Sequence, residues 1–357
     1  MAKIDALLRT ARAQGSSDLH LTTAAPPRIR ARGELDPVPG FAPMSGPEID
    51  DAIRELLTPA EQTEFDEWRD VEITYGLPGV ARFRVSYFAT VQGPAAVFRL
   101  VPETALGLET LSLPPAFDSL LVRRSGLVLV SAPAGSGRST LCASIVDRIA
   151  ATTSRMVVSI EDVVEVLHAK KLGVVLQREV GRDAPGWSDA IAAALRLDAE
   201  VLVVGDLPDA ATTRLALRAA EGGRLVIAAP AVPGAVRTLE RLVEQFPAVE
   251  QGELRSLLAD NLLGVLSQLL VRRKEGGGRV AAHELLLASP DLASSLRDGE
   301  IREIGAILDA GKSSGMLSLD DSLEKLLRAD AIGIEEAHRK ATDKGRFAAM
   351  LPSSAAG

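Results

Sequence analysis

The stretch "GLVLVSAPAGSGRSTLCASIVDRIA", residues 126–150, limits what this chain can fold into more than any other. It opens on a short, near-continuous apolar run of the kind that forms a strand buried on both faces. A glycine turn follows, and then the helical segment "STLCASIVDRIA". A strand that feeds a helix through such a turn places free backbone N–H groups at the positive end of the helix, where an anion binds. The turn follows the phosphate-loop pattern G-x-x-x-x-G-K-[ST], with two exceptions. Ala132 stands at the first glycine and Arg138 at the lysine, while Gly135, Gly137, Ser139 and Thr140 fit. The pattern assigns Pro133, Ala134, Gly135, Ser136, Gly137, Arg138, Ser139 and Thr140 to the phosphates of a nucleotide, with Ser139 also on Mg²⁺. Arg138 keeps the positive charge. Its planar guanidinium is nevertheless a poor copy of a compact ammonium, so binding is expected to survive the exchange better than turnover.

The surrounding segments agree with this frame. "RMVVSI", "AEVLVVGD" and "GRLVIAA" are further apolar strands, and "SDAIAAALRL" and "DAATTRLALRAAE" are helices between them, so a parallel sheet covered on both faces is expected. "GVLSQLLVRRKEGGGRVAAHELLLA" reads as a hairpin turning at Gly276–Gly278. Upstream, "SDLHLTT" and "PRIRARGEL" alternate as half-buried strands do. "DVEITYGL", "GVARFRVSYFA" and "AAVFRLV" read as three antiparallel strands, and Ser45 as the cap of a helix with Pro47 in its first turn. The expected organisation is α/β: a small α+β domain at 1–101, a linker at 102–117, the phosphate-loop domain at 118–289, a helical region at 290–346 and a disordered tail at 347–357.

With 357 residues, 46% of them hydrophobic, the chain can fill two cores. The net charge of −8 argues against a general nucleic-acid binder, whose footprint is basic. The lone cysteine, Cys142, excludes an internal disulfide. The start "MAKIDALLRTARAQG" lacks the apolar core of a signal peptide, and no apolar stretch is long enough to span a bilayer, so a cytoplasmic protein is expected.

The chain as a whole resembles the PilT-like retraction ATPases of type IV pili. "QGSSDLHLTTAAPPRIRARGEL", "PGVARFRVSYF" with "AAVFRLVP", "SIEDVVEVLH", "QREV", "GGGRVAAHELLLASP" and "SSGMLSLDDSL" are similar, in order, to that family's successive blocks. The resemblance runs from about residue 3 to 345. It implies a PAS-like amino-terminal domain joined to a RecA-like ATPase domain. It also implies ATP and Mg²⁺ as ligands, and a homohexamer at the cytoplasmic side of the inner membrane, at the pilus base, working on the platform protein. Glu161 and Asp162 match the acidic pair of the family's aspartate box, with Glu161 expected to be catalytic and Asp162 to serve the metal. Glu165 and His168 match it too. A carboxylate at a strand end can orient water or Mg²⁺, yet the same pair could simply cap a following helix. Arg82, Arg84 and Arg99 match basic positions from which arginine fingers could reach nucleotide, although a solvated sheet face explains them equally well.

Three motifs depart from the family pattern. Besides Arg138, the strand "AEVLVVGD" ends in Asp206, where the family has glutamate. One methylene fewer draws the carboxylate back by about 1.5 Å, on the scale at which misplacement costs about 10²-fold in rate. The family's histidine box is missing, with Arg224 and Ala231 at the matching places. Two functions follow. The chain is either an ATP-binding motor that couples hydrolysis to retraction, with Asp206 in a catalytic position, or a catalytically degenerate paralogue acting as a regulatory or structural ring subunit, alone or mixed with an intact retraction ATPase.

Overall fold

The computed structural model describes residues 4–31, 34–101, 104–275 and 277–351. It divides into two compact units, residues 1–104 with 165–167 and residues 105–164 with 168–357.

The first unit is α+β. Strands β1 (Asp18–Thr22), β2 (Arg28–Ala31), β3 (Glu34–Pro37), β4 (Asp70–Leu77), β5 (Ala81–Thr90) and β6 (Gly93–Val101) form one antiparallel sheet in the order β3-β2-β1-β6-β5-β4. In β5 the side chains alternate as the pleat requires: Ala81, Phe83, Val85 and Tyr87 are buried, and Arg82, Arg84 and Ser86 lie on the other face. The buried face packs on helices Asp5–Ala13, Gly46–Arg54 and Pro59–Trp68 through Leu8, Ile49, Ile53 and Phe65. The expected cap is in place. Glu48 N–H donates to Ser45 Oγ at 3.4 Å, and Ser45 N–H donates back to Glu48 Oε2 at 2.7 Å.

The second unit is the expected α/β layer structure. Strands β7 (Gly126–Ser131), β8 (Met156–Glu161), β9 (Val174–Glu179), β10 (Val201–Val204), β11 (Leu225–Ala228), β12 (Leu262–Arg272) and β13 (Arg279–Leu287) are ordered β13-β12-β7-β11-β10-β8-β9. Every neighbouring pair is parallel except β12–β13. All residues of β7, β10 and β11 are buried, because helices cover both faces. Leu127 and Leu129 enter one core, and Val128 and Val130 the other. The β12–β13 hairpin pairs from Gly264↔Leu287 to Arg272↔Arg279; of its expected turn, Gly276 lies outside the described residues. Among the described residues no helix is long and apolar enough to cross a membrane.

The structure differs from the sequence expectations in three places. The stretch expected to be a linker, 102–117, is packed from Leu108 onward. Leu108 and Phe117 are buried in the core that holds Val128 and Val130, so two apolar side chains bind the segment to the second unit. The expected tail at 347–357 begins too early. Phe347 sits in helix Lys344–Ala348, fully buried against Val271, Leu323, Ile332 and Ala337, and residues 352–357 lie outside the described residues. Finally, β9 is an edge strand the sequence did not announce, with Val174 57% exposed and Leu176 38% exposed.

Two outcomes are expected. Phe347→Ala should lower stability by about 3–5 kcal/mol in a denaturant melt, as for other buried phenylalanines; a loss under 1 kcal/mol would mean that this helix is not part of the core. The second concerns His283 on β13, which burial pushes down to about 4. The unfolded chain takes up this proton near 6.5 and the folded chain only near 4. The stability the neutral ring contributes is therefore complete above about pH 6.5 and drains away as the pH falls toward 4, by about 3 kcal/mol. His283→Gln should remove that fall. Burial also holds His20 and His168 below the ordinary range, but both act alike in wild type and variant and cancel in the difference. Equal slopes for the two proteins between pH 7 and 4 would refute the assignment.

A candidate nucleotide site at the carboxyl end of the sheet

β7 is hydrogen-bonded on both edges, to β11 and β12, so its carboxyl end is held firmly. The chain leaves it at Ala132, turns, and enters helix Arg138–Thr152. Gly135 and Gly137 have φ of 73° and 77°, the left-handed region that favours glycine. Ser136 N–H closes a turn onto Pro133 O at 3.0 Å. The helix carries no side-chain cap at Gly137, so its first-turn N–H groups are free to face an anion. Ser139 and Thr140 are exposed in that first turn, Ala134 is exposed in the loop, and Pro133 is half-buried.

The strand ends that flank the loop bring acidic groups to the same level. Leu129, Ala228, Val204 and Ile160 lie on one row of the sheet. Glu161 follows that row by one residue and Asp206 by two. Glu161 Oε1 accepts from Ser159 Oγ at 2.7 Å and from Gln177 Nε2 at 3.2 Å, which fixes its carboxylate. Asp162 is exposed, and residues 162–173 are irregular, so the pair caps no helix. Arg138 and Asp206, two of the three departures from the family pattern, face each other: Nη1 stands 3.8 Å from Oδ1, with both side chains about one-third exposed. At 3.8 Å this is a charge contact rather than a hydrogen bond, and Asp206 Oδ1 accepts from Leu207 N–H at 2.8 Å. Cys142 lies one helical turn below Arg138. Burial first, and then the Glu161 carboxylate, push its thiol up to about 12, so it stays protonated. Among the described residues no group of three His, Cys, Asp or Glu side chains could hold a metal on its own.

Other residues singled out in the sequence lie elsewhere. His168 is buried with Nδ1 3.6 Å from Asp147 Oδ1. Burial holds its pKa below the ordinary value against the pull of Asp147, and Asp147 instead pairs with Lys171 at 2.5 Å. Asp147 is nine residues into the helix from Arg138, about 13 Å along its axis, so His168 is not at the loop. Arg224 precedes β11 and donates to Leu195 O at 3.3 Å. It therefore stands at the amino end of the sheet, and only Ala231 follows the carboxyl end. In the first unit, Arg84 and Arg99 are cross-strand partners, and both are engaged. Arg84 pairs with Glu72, and Arg99 Nε donates to Asp18 Oδ1 at 2.8 Å. Burial alone would raise Asp18, but hydrogen bonds from Arg99 and Ser17 hold it below the usual carboxylate range. Arg82 has no ion-pair partner among the described residues.

Sequence reasoning gave the hairpin but missed that its side chains back the loop. Gln268 on β12 and His283 on β13 are cross-strand partners, 4% and 2% exposed. Gln268 Nε2 donates to Ser136 O at 2.7 Å, and His283 Nε2 lies 3.0 Å from Gln268 Oε1. A carbonyl can only accept, so the amide nitrogen faces Ser136 and the imidazole must present Nε2–H to Oε1. Arg279 Nη1 donates to Gly135 O at 2.8 Å. The neighbouring pair, Ser267 and Glu284, accepts from Gly234 N–H at 2.9 Å and from Ala235 N–H at 2.6 Å. Polar letters inside the apolar runs "VLSQLLV" and "AAHELLL" were the available signal, because a buried polar group needs a partner.

Comparison with known proteins places the chain. Residues 49–297 match the family model for type II/IV secretion system proteins. The chain is 38% identical over 338 residues to the type IV pilus retraction ATPase PilT of Pseudomonas aeruginosa, covering 95% of this chain and 98% of that one. It is 37% identical over 335 residues to a twitching motility protein of Neisseria gonorrhoeae, covering 94% and 89%. The crystal structure of the pilus retraction motor PilT with bound ADP superposes with a TM-score of 0.90 at 32% identity, over 97% of this chain and 99% of that one. A core motif of strand, loop and helix, set in a match of this length, leaves one conclusion: the chain belongs to the type II/IV secretion system protein family, and within it to the PilT-like pilus retraction ATPases.

Proposed function

We propose that this protein binds ATP with Mg²⁺ at the loop Pro133–Thr140 and acts as a subunit of a homohexameric motor ring. The ring works at the cytoplasmic face of the inner membrane, against the pilus platform protein, and draws the fibre back. The observation that carries this reading is the loop itself, in which two left-handed glycines and an uncapped helix start lie at the carboxyl end of a fully buried strand. Family membership and the ADP in the PilT structure support the ligand. In this reading the first-turn N–H groups and Arg138 hold the phosphates. Glu161 orients the attacking water, and Asp206 supports it from the neighbouring strand end. Arg82, Arg84 and Arg99 supply positive charge to a nucleotide of an adjacent subunit, with Asp18 and Glu72 holding two of them extended.

The donor set suits Mg²⁺, which binds oxygen, keeps several waters and shares its shell with substrate phosphates rather than needing a protein cage. Ser139 Oγ and the Asp162 carboxylate would hold it, and when bound it offsets charge on the phosphates. A second reading, a non-hydrolysing ring subunit that pairs with an intact motor, is favoured by the Arg138–Asp206 contact. A carboxylate held toward a guanidinium is a weaker partner for water, and a guanidinium held toward a carboxylate is drawn off the phosphates.

The contact also joins a longer base to a shorter acid, so the two substitutions should be coupled. We expect wild-type protein to bind MgATP but to turn over below about 1 s⁻¹, under the usual range for enzymes. Arg138→Lys with Asp206→Glu together should raise turnover at least about tenfold, and by more than the two single changes combined. A coupled phosphate-release assay reads this. Wild-type turnover well above 1 s⁻¹ would eliminate the impaired-hydrolysis reading, and failure to bind MgATP at all would eliminate the nucleotide reading.

A further inference from the structure

We propose that Gln268 and His283 are positioning residues for phosphate recognition: they pin the Ser136 carbonyl to the β12–β13 hairpin and thereby aim the Gly137 N–H at the ligand. The inference rests on the nucleotide reading of the loop.

A trans peptide is planar, with its C=O and N–H antiparallel. Fixing the Ser136 carbonyl on Gln268 therefore fixes the Gly137 N–H in the opposite direction, away from the hairpin. That N–H has no hydrogen-bond partner among the described residues. Arg279 holds the preceding carbonyl, that of Gly135, so two successive carbonyls are turned toward β12 and β13. A Cβ at Gly137 would crowd Gln268 Nε2 at 3.0 Å, and the φ of 77° favours glycine there as well. Without this anchor, the peptide could rotate and present its carbonyl to an anion, which repels it.

The amide of Gln268 would be ambiguous alone, because its two ends are nearly the same shape. His283 removes the ambiguity. Its Nε2–H can bond only the oxygen end, which leaves the nitrogen end for Ser136. The strand that carries the ring is anchored in turn, as the His283 backbone N–H donates to Ser322 Oγ at 3.0 Å in helix Leu319–Arg328. The order of donors thus runs one way, from imidazole to amide to loop. In a site this dry, such a chain is stronger than in water, and a missing member leaves a buried group unpaired. Ser267 and Glu284, by contrast, accept from the Gly234 and Ala235 N–H groups. One step of the hairpin serves the phosphate loop and the next serves the segment that follows β11.

The simpler account is a buried polar pair that only stabilises the hairpin. The two accounts separate on full-length protein with three variants, Gln268→Leu, His283→Leu and His283→Gln, the last retaining a donor where Nε2 stood. MgATP binding is read by calorimetry, and amide exchange of residues 135–141 is read on nucleotide-free protein. We expect both leucine variants to bind MgATP at least about tenfold more weakly and to exchange the hydrogen-bonded loop amides, Ser136 N–H on Pro133 O and Leu141 N–H on Gly137 O, at least about tenfold faster. Exchange in β7 and β11 should stay unchanged, and His283→Gln should stay within about threefold of wild type on both measures. A folded Gln268→Leu protein with wild-type affinity and loop exchange overturns the proposal, as does a His283→Gln protein no better than His283→Leu. Should His283→Leu fail to fold, Gln268→Leu and His283→Gln still decide. If the wild type takes up no MgATP, the nucleotide reading fails on its own count, and the exchange measurement alone decides whether the loop is pinned.

Discussion

The direction of the peptide groups between Ser131 and Arg138 governs the rest of the site. An anion is bound by N–H groups, and each peptide offers an N–H on one side only at the cost of a carbonyl on the other. A loop that turns its donors inward must therefore dispose of its carbonyls outward. Here the outward side is a built surface rather than solvent. β12 lies beside β7, β13 lies beside β12, and their side chains collect the carbonyls of Gly135 and Ser136. The parallel sheet supplies the fixed point from which the loop starts. The antiparallel hairpin added at its edge supplies the backing. The two parts of the sheet thus have different duties, which its mixed topology makes possible.

How far this was legible in the sequence depends on the range of each signal. The run "GLVLVSA" showed β7 because burial on both faces leaves no polar position within the strand, and the glycine turn with its helix followed from local geometry. The alternation in "ARFRVSY" showed β5 in the same local way. Gln268 and His283 carry no such signal. They are fifteen residues apart, and only the register of β12 on β13 makes them partners. β9 was missed because an edge strand has no inner neighbour on one side, so Val174 and Leu176 are exposed and the period is diluted. Arg224 shows a different limit. A match by position named it as a stand-in at the site, but strand direction decides the outcome. A residue before a parallel strand stands at the end of the sheet opposite the phosphates, five residues or about 16 Å from Ala229.

The arginines of the first unit make a related point about charge. Their residue types and alternation put Arg82 and Arg84 on one face, and the register adds Arg99. A row of like charges is unfavourable unless it is interrupted. Glu72 and Asp18 interrupt it, and they were not suspected because they come from β4 and β1, distant in the chain. Their effect is twofold. They reduce the repulsion that would splay the guanidinium groups, and among the described residues they leave Arg82 without a carboxylate of its own. Any anion that meets this face meets two arginines already oriented and one still available.

The contact between Arg138 and Asp206 bears on how substitutions at a catalytic site should be weighed. Taken singly, each looks like a loss: a diffuse cation where a compact one is usual, and an acid drawn back by one methylene. The structure brings the two side chains within 3.8 Å of each other, so their effects are expected to couple. A pair that exchanges length keeps its charges in register while moving the point where they meet. Binding depends on the sum of charges around the loop and is little altered by such a shift. Hydrolysis depends on where a single charge sits as the transition state forms, and it is far less tolerant. On the proposed nucleotide reading, the same local exchange would therefore preserve binding while lowering turnover.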